Sequence, residues 1–123
     1  MKNLRNFLFC TILFMACMKK SETPDVRQCD FSTNTYTSTT TGTVLYKLTY
    51  VAPSTVSSIT YKTPSGDVTL NNPPGNFEKV VDVPVGMQMS ISAKGTTSTS
   101  TIVISYTFSA GSTTVSNQQT CSN

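Results

Sequence analysis

From Val56 to Ala93 the chain is a succession of four short runs in which apolar and polar residues alternate, cut three times by turn-forming residues. Met87, Met89, Ile91 and Ala93 fall on one face of their run, while Gln88, Ser90 and Ser92 fall on the other. That period of two is the mark of a half-buried strand. Phe77, Val81 and Val83 likewise share a face, with Glu78, Val80 and Asp82 pointing away. Lys79 takes an inward position, which an edge strand tolerates because the long stem carries the ammonium out to water. Between the runs stand Thr63-Pro64-Ser65-Gly66-Asp67, Asn71-Asn72-Pro73-Pro74-Gly75 and Pro84-Val85-Gly86. Proline presets φ for a turn and cannot donate to a ladder, and glycine supplies a positive φ.

The flanks repeat the pattern. In Val44–Val51, Val44, Tyr46, Leu48 and Tyr50 line one face; in Val56–Lys62, Ile59 and Tyr61 share one; in Thr101–Phe108, Ile102, Ile104, Tyr106 and Phe108 do so. Thr113–Thr120 is weakly apolar and reads as a last strand at an edge. Ser32–Thr43 is rich in threonine, with Tyr36 as its one large anchor, and reads as a first edge strand or as a loop laid over the sheets. Thr and Ser make up 38 of the 123 residues, a composition that favours strands and turns over helices. About seven strands with a turn every eight to twelve residues predict an all-β chain, an antiparallel β-sandwich.

Met1–Cys17 reads as a secretion signal. Lys2 and Arg5 precede the ten apolar residues Phe7–Ala16, too short a run to cross a bilayer. Leu13-Phe14-Met15-Ala16-Cys17 resembles the lipobox of bacterial lipoproteins, with Phe14 where that motif prefers leucine. The resemblance implies cleavage after Ala16 and lipidation of Cys17. Residues 1–16 are then the signal peptide, 17–28 a polar tether and 29–123 the folded domain. The implied location is the bacterial cell envelope, facing the periplasm or the exterior, with the membrane as a partner through the N-terminal lipid. Each buried methylene of such an anchor contributes roughly 0.8 kcal/mol, so several acyl chains hold it firmly. Cys10 leaves with the signal and Cys17 carries the lipid, so Cys29 and Cys121 remain as an even pair. In an exported chain such a pair favours a disulfide. The alternative, a reactive or metal-binding pair, has neither a CxxC spacing nor a histidine to complete a zinc set.

The inventory of reactive groups is thin. There is no His, so the usual partner of a nucleophilic serine is missing. Beyond residue 28 the acids are Asp30, Asp67, Glu78 and Asp82, and Lys47, Lys62, Lys79 and Lys94 balance them to zero. Glu78 and Asp82 lie four apart on one strand, about 13 Å at strand rise, too far for either glycosidase geometry. The excess positive charge sits in the N-terminal segment, so the folded part lacks the clustered cations of a nucleic-acid footprint. These observations predict no catalytic residues, no cofactor, no metal and no nucleic-acid partner. Tyr46, Tyr50 and Tyr106 share the core parity of their strands. Tyr36 and Tyr61 are the candidate surface contacts.

Tyr46-Lys47-Leu48-Thr49-Tyr50, then Val56–Asp67 (VSSITYKTPSGD), then Val83–Gly95 (VPVGMQMSISAKG) resemble the exported domain of the MmpS family. These are small mycobacterial membrane proteins with an immunoglobulin-like β-sandwich that serve as accessory subunits of large lipid and siderophore exporters. The resemblance covers roughly Val44 to Cys121. It departs where that family carries a Trp in the middle segment, here replaced by Phe77, and where the family has a membrane-spanning helix in place of a lipoprotein-type signal. It implies an immunoglobulin-like fold and a role in an envelope protein complex. The expectation is therefore a non-enzymatic, lipid-anchored envelope protein acting by protein interaction, accessory to an envelope transport complex. The alternative is a module that binds carbohydrate or a small ligand.

Overall fold

The structure is a computed structural model and describes residues 25–123. The expected signal at 1–16, the expected lipid site Cys17 and most of the expected tether lie outside the described residues. Ten strand segments follow one another: β1 (Arg27–Ser32), β2 (Tyr36–Thr37), β3 (Gly42–Tyr50), β4 (Thr55–Thr63), β5 (Gly66–Asn71), β6 (Asn76–Val83), β7 (Gln88–Met89), β8 (Ile91–Thr97), β9 (Thr101–Ala110) and β10 (Thr113–Ser122). Eight of them form two four-stranded antiparallel sheets, ordered β1-β8-β4-β5 and β10-β9-β3-β6. β2 and β7 make a short ribbon at one end. The chain is an all-β sandwich, with three more strand segments than the seven expected. The tally grows because the Thr-rich stretch supplies β2, the segment from Arg27 supplies β1, and the run Met87–Ala93 breaks at Ser90 into β7 and β8.

β3 pairs with β6 in one sheet and β4 with β8 in the other, the interlock that the second and fifth, and third and sixth, strands make in an immunoglobulin sandwich. The flanks are exchanged. β1, the first strand, sits beside β8 where an immunoglobulin places its last, and the β9–β10 hairpin extends the opposite sheet. β1 also begins two residues inside the expected tether, because Arg27 and Gln28 pair with Thr97 and Thr96 of β8.

The core lies between the sheets and follows the alternation. Val44, Tyr46 and Leu48 of β3 and Ile102, Ile104, Tyr106 and Phe108 of β9 meet Val56, Ile59, Tyr61, Ile91 and Ala93 of the facing sheet. Lys79 has the inward parity but stays exposed, since β6 is an edge. Tyr61 is not a surface contact. It is 5% exposed, with its ring 5.2 Å from that of Tyr46 and 5.8 Å from that of Phe77. The reason is its register: it pairs with both Val68 and Ile91, so it sits inside the sheet and shares the inner face with Ile59.

One covalent link joins the layers, and one close backbone approach fixes β4 against β8 within a layer. Cys29 on β1 and Cys121 on β10, each at an outer edge of its own sheet, are joined by a disulfide with a Cα–Cα distance of 6.1 Å. Gly95 on β8 lies opposite Val56, where β4 carries a bulge before Ser58, and a Cβ there would collide with the Thr55 carbonyl oxygen. The disulfide spans 92 residues. Chain-entropy arguments give about 4 to 5 kcal/mol for such a loop. Replacing both cysteines by alanine should lower stability in urea by about 2 to 5 kcal/mol. A loss well under 1 kcal/mol would mean that the sheets need no link. Gly95→Ala should cost several-fold more than Gly→Ala at an unstrained strand position, about 3 kcal/mol or more, because backbone rather than a flexible side chain is in the way.

Candidate functional site

The strands run between two ends of contrasting make-up. β1 starts and β10 finishes at the first end, joined there by the loops 51–54 and 98–100. The Arg27 guanidinium donates to the Ser122 carbonyl at 2.6 Å, and the Asn123 amide donates to the carbonyls of Asp25 and Ser98 at 2.5 and 3.1 Å. Inside this clamp is a network of hydroxyls. Ser54 Oγ donates to Thr97 Oγ1 at 2.8 Å and lies 2.5 Å from Ser100 Oγ, Thr97 donates to the Ser100 carbonyl, and Ser100 Oγ donates to the Val51 carbonyl at 3.0 Å. Ser54 and Thr97 are buried, so these bonds satisfy backbone groups that strand ends leave open. The network contains hydroxyls and carbonyls and no base.

The second end is built from the β4–β5 turn, residues 84–88 and the start of β3. A depression of about 640 Å³ lies between Thr41–Thr43, Pro64 and Asp82–Pro84. A neighbouring one of about 400 Å³ is lined by Lys62–Pro64, Gly66, Asp67 and Pro84–Gln88. Pro64 and Pro84 border both. Val85 projects beside them at 63% exposure. Lys62 Nζ meets Asp67 Oδ1 at 2.9 Å along the rim. Ser38 holds this end in shape. Its Oγ donates to the Pro84 carbonyl at 2.6 Å and accepts from the Met87 amide at 3.1 Å, while its own amide donates to the Met87 carbonyl at 2.9 Å and its carbonyl accepts from the Gly86 amide at 2.8 Å. Gly86, at φ +83°, has the backbone such a turn requires. The result is a preformed rim of two prolines and a valine edged by one ion pair.

Tyr36 stands on β2 near the same end, half-buried, its ring 5.8 Å from Phe108. Tyr36 and Tyr61 are therefore not brought together as a binding pair. The acids are dispersed: Glu78 meets Lys47 at 3.1 Å on an exposed face, and Asp67 meets Lys62. Among the described residues no three of His, Cys, Asp and Glu gather in a metal-holding group. Sequence reasoning took Pro64, Pro84 and Val85 only as turn residues. The signal available was Val85, an apolar residue held between proline and glycine. Ser38, Ser54 and Ser100 left no signal, because they are three serines among sixteen.

Comparison with protein-family models, with curated proteins and with solved structures finds no match.

One buried group stands out electrostatically. The Tyr46 ring is fully buried and its hydroxyl has no hydrogen-bond partner. Burial drives its pKa far up; the Lys62 backbone opposes this, and Tyr106, Asp67 and Tyr61 add to the rise. Burial also raises Tyr106, with Tyr36 adding to it. Tyr46→Phe removes an unsatisfied polar atom and should stabilise the fold by about 1 kcal/mol in urea denaturation. For a tyrosine raised in the folded state, the unfolded chain gives up its proton first. Stability is then complete below pH of about 10 and falls as the pH rises beyond it. Tyr46→Phe should make that alkaline decline shallower, and absorbance at 295 nm should show Tyr46 among the five tyrosines ionising only on alkaline unfolding.

Proposed function

We propose that this chain is a non-enzymatic, lipid-anchored binding module of the bacterial cell envelope that engages a protein partner through the proline-rimmed end of the sandwich. The observation that carries the reading is the opposition of the two ends. The tether enters beside Asn123 at one end, through Asp25 and Arg27. The rim of Pro64, Pro84 and Val85 lies at the other, a strand length of about 30 Å away. A domain held at its N-terminus by lipid at Cys17 presents that rim away from the membrane. The disulfide agrees with an oxidising compartment. The resemblance to MmpS makes an envelope transporter subunit the partner to seek first. The carbohydrate-binding alternative drew on Tyr36 and Tyr61, and the burial of Tyr61 leaves it only the half-buried Tyr36.

The test is a pull-down of the full chain from detergent-solubilised envelopes through a C-terminal tag, with intact mass on the same sample. A protein partner should co-purify with the acylated wild type and fall at least tenfold with Val85→Asp, which leaves the core untouched. Partner recovery that ignores Val85→Asp rejects the rim as the contact. Recovery of the acylated chain alone rejects a stable complex, and an unacylated product rejects the anchor.

A further inference from the structure

We propose that β10 pairs antiparallel with β10 of a second copy of this chain, about a twofold axis through Asn117, so that two four-stranded sheets become one of eight strands. The proposal is independent of the partner contact above and starts from which backbone groups of β10 are free. β10 is an edge strand, paired with β9 alone among the described residues; beyond that ladder it is held by the disulfide to β1, by Arg27 at the Ser122 carbonyl and by the Asn34 amide, which donates to the Asn117 side-chain oxygen. Ala110 and Thr113 face each other across the two-residue loop Gly111-Ser112, with Gly111 at φ +58°. A positive φ at the first loop residue marks the II′ hairpin, whose closing pair is hydrogen-bonded. Bonding alternates along an antiparallel ladder. Thr113, Val115, Asn117, Gln119 and Cys121 therefore bond to β9, and the even-numbered residues turn their N–H and C=O groups to the open edge. The Arg27 guanidinium confirms the parity, for it reaches the Ser122 carbonyl from that side. Among the described residues nothing bonds to the edge groups of Thr114, Ser116, Gln118 and Thr120.

An open edge of ten residues invites another strand, and proteins usually blunt such edges with charge, proline or a bulge. The other three edges here follow that rule. β1 carries Arg27 and Asp30, β5 carries Asp67, and β6 carries Glu78, Lys79 and Asp82. β10 (TTVSNQQTCS) has no charged residue, no proline and no glycine, and its register with β9 is continuous.

The occupant follows from symmetry and from side chains. Strand-addition sites for foreign peptides add pockets that read alternate side chains. The outward residues Thr114, Ser116, Gln118 and Thr120 are short or flexible and polar and line none of the depressions seen among the described residues, so what the edge offers is backbone complementarity. The chain satisfies that demand with itself. About Asn117, Thr114 faces Thr120 of the second copy and Ser116 faces its Gln118. All four are even-numbered, so every edge donor finds an acceptor, giving about eight backbone hydrogen bonds. No like charges meet. The ladder stops where Arg27 already occupies the Ser122 carbonyl, which sets the register.

The test is sedimentation velocity of the full chain in density-matched detergent, from about 1 to 100 µM, a span covering the weak affinities of small polar interfaces. The wild type should pass from monomer to dimer with rising concentration. Ser116→Pro removes an N–H that faces solvent in the monomer, so the β9 ladder survives, yet it blocks the pairing and should stay monomeric throughout. Gln118→Lys brings two ammonium groups together near the axis and should raise the dissociation constant at least tenfold. A wild type that is monomeric at the top concentration overturns the proposal. So does a dimer that both variants leave unchanged, which would place the contact elsewhere. If circular dichroism shows Ser116→Pro unfolded, the Gln118→Lys result decides alone.

Discussion

Face-to-face burial of two alternating sheets is the interaction on which everything else in this molecule rests. Each strand supplies one apolar face, and neither sheet has any other way to remove it from water. β3 and β9 form the centre of one sheet, and β4 and β8 the centre of the other. Their inward side chains, from Val44 and Leu48 to Ile91 and Ile104, are almost completely buried. With charged residues only 12% of the chain, ion pairs contribute little. The two seen among the described residues, Lys47–Glu78 and Lys62–Asp67, lie on exposed or half-exposed faces, where such pairs are worth about 1 kcal/mol or less.

A sandwich made this way is open at its sides and ends, and the abundant hydroxyls close it. Thr33 exchanges hydrogen bonds with the Ile91 backbone, Ser38 with Pro84 and Met87, and Ser54 with Thr97 and Ser100. A serine or threonine satisfies a strand end with little added volume, and its hydroxyl donates or accepts as the site requires. On the outer faces, Thr55–Thr96 and Thr60–Thr69 bridge neighbouring strands, each a small gain that recurs across the surface. At one side the disulfide joins the two edge strands nearest the chain ends, so the first and last strands close the molecule together.

How much of this was legible depended on whether a residue's role was local. The alternation in Val44–Val51, Met87–Ala93 and Thr101–Phe108 named the core face of each strand, and the burial follows it residue by residue. Lys79 marked an edge because only an edge lets an inward lysine reach water. The pairing of Cys29 with Cys121 followed from counting. Tyr61 shows the limit: parity put it with Ile59, and the adjoining turn brings β5 beside it, but whether its end of the strand was covered depended on β8 and on the facing sheet, which approach from elsewhere in the chain. The candidate rim was less legible still. Pro64 and Pro84 are twenty residues apart and read as separate turns until the fold sets them side by side.

The sequence by itself determined the period of two, the turns that cut it, the balanced charge of the folded part and the cysteine pair. All are properties of neighbouring residues or of composition, and a strand's two faces are set by its own stereochemistry. Only the tertiary structure decided which strands pair, that β1 lies beside β8 while β9 and β10 extend the other sheet, and that one edge is left without charge. Strand order is a choice among pairings whose local sequences are almost equally suited to any neighbour. What selects among them is the long-range fit of the whole core: a bulge in β4 that needs glycine opposite it, and hydroxyls that must find carbonyls up to 58 residues away.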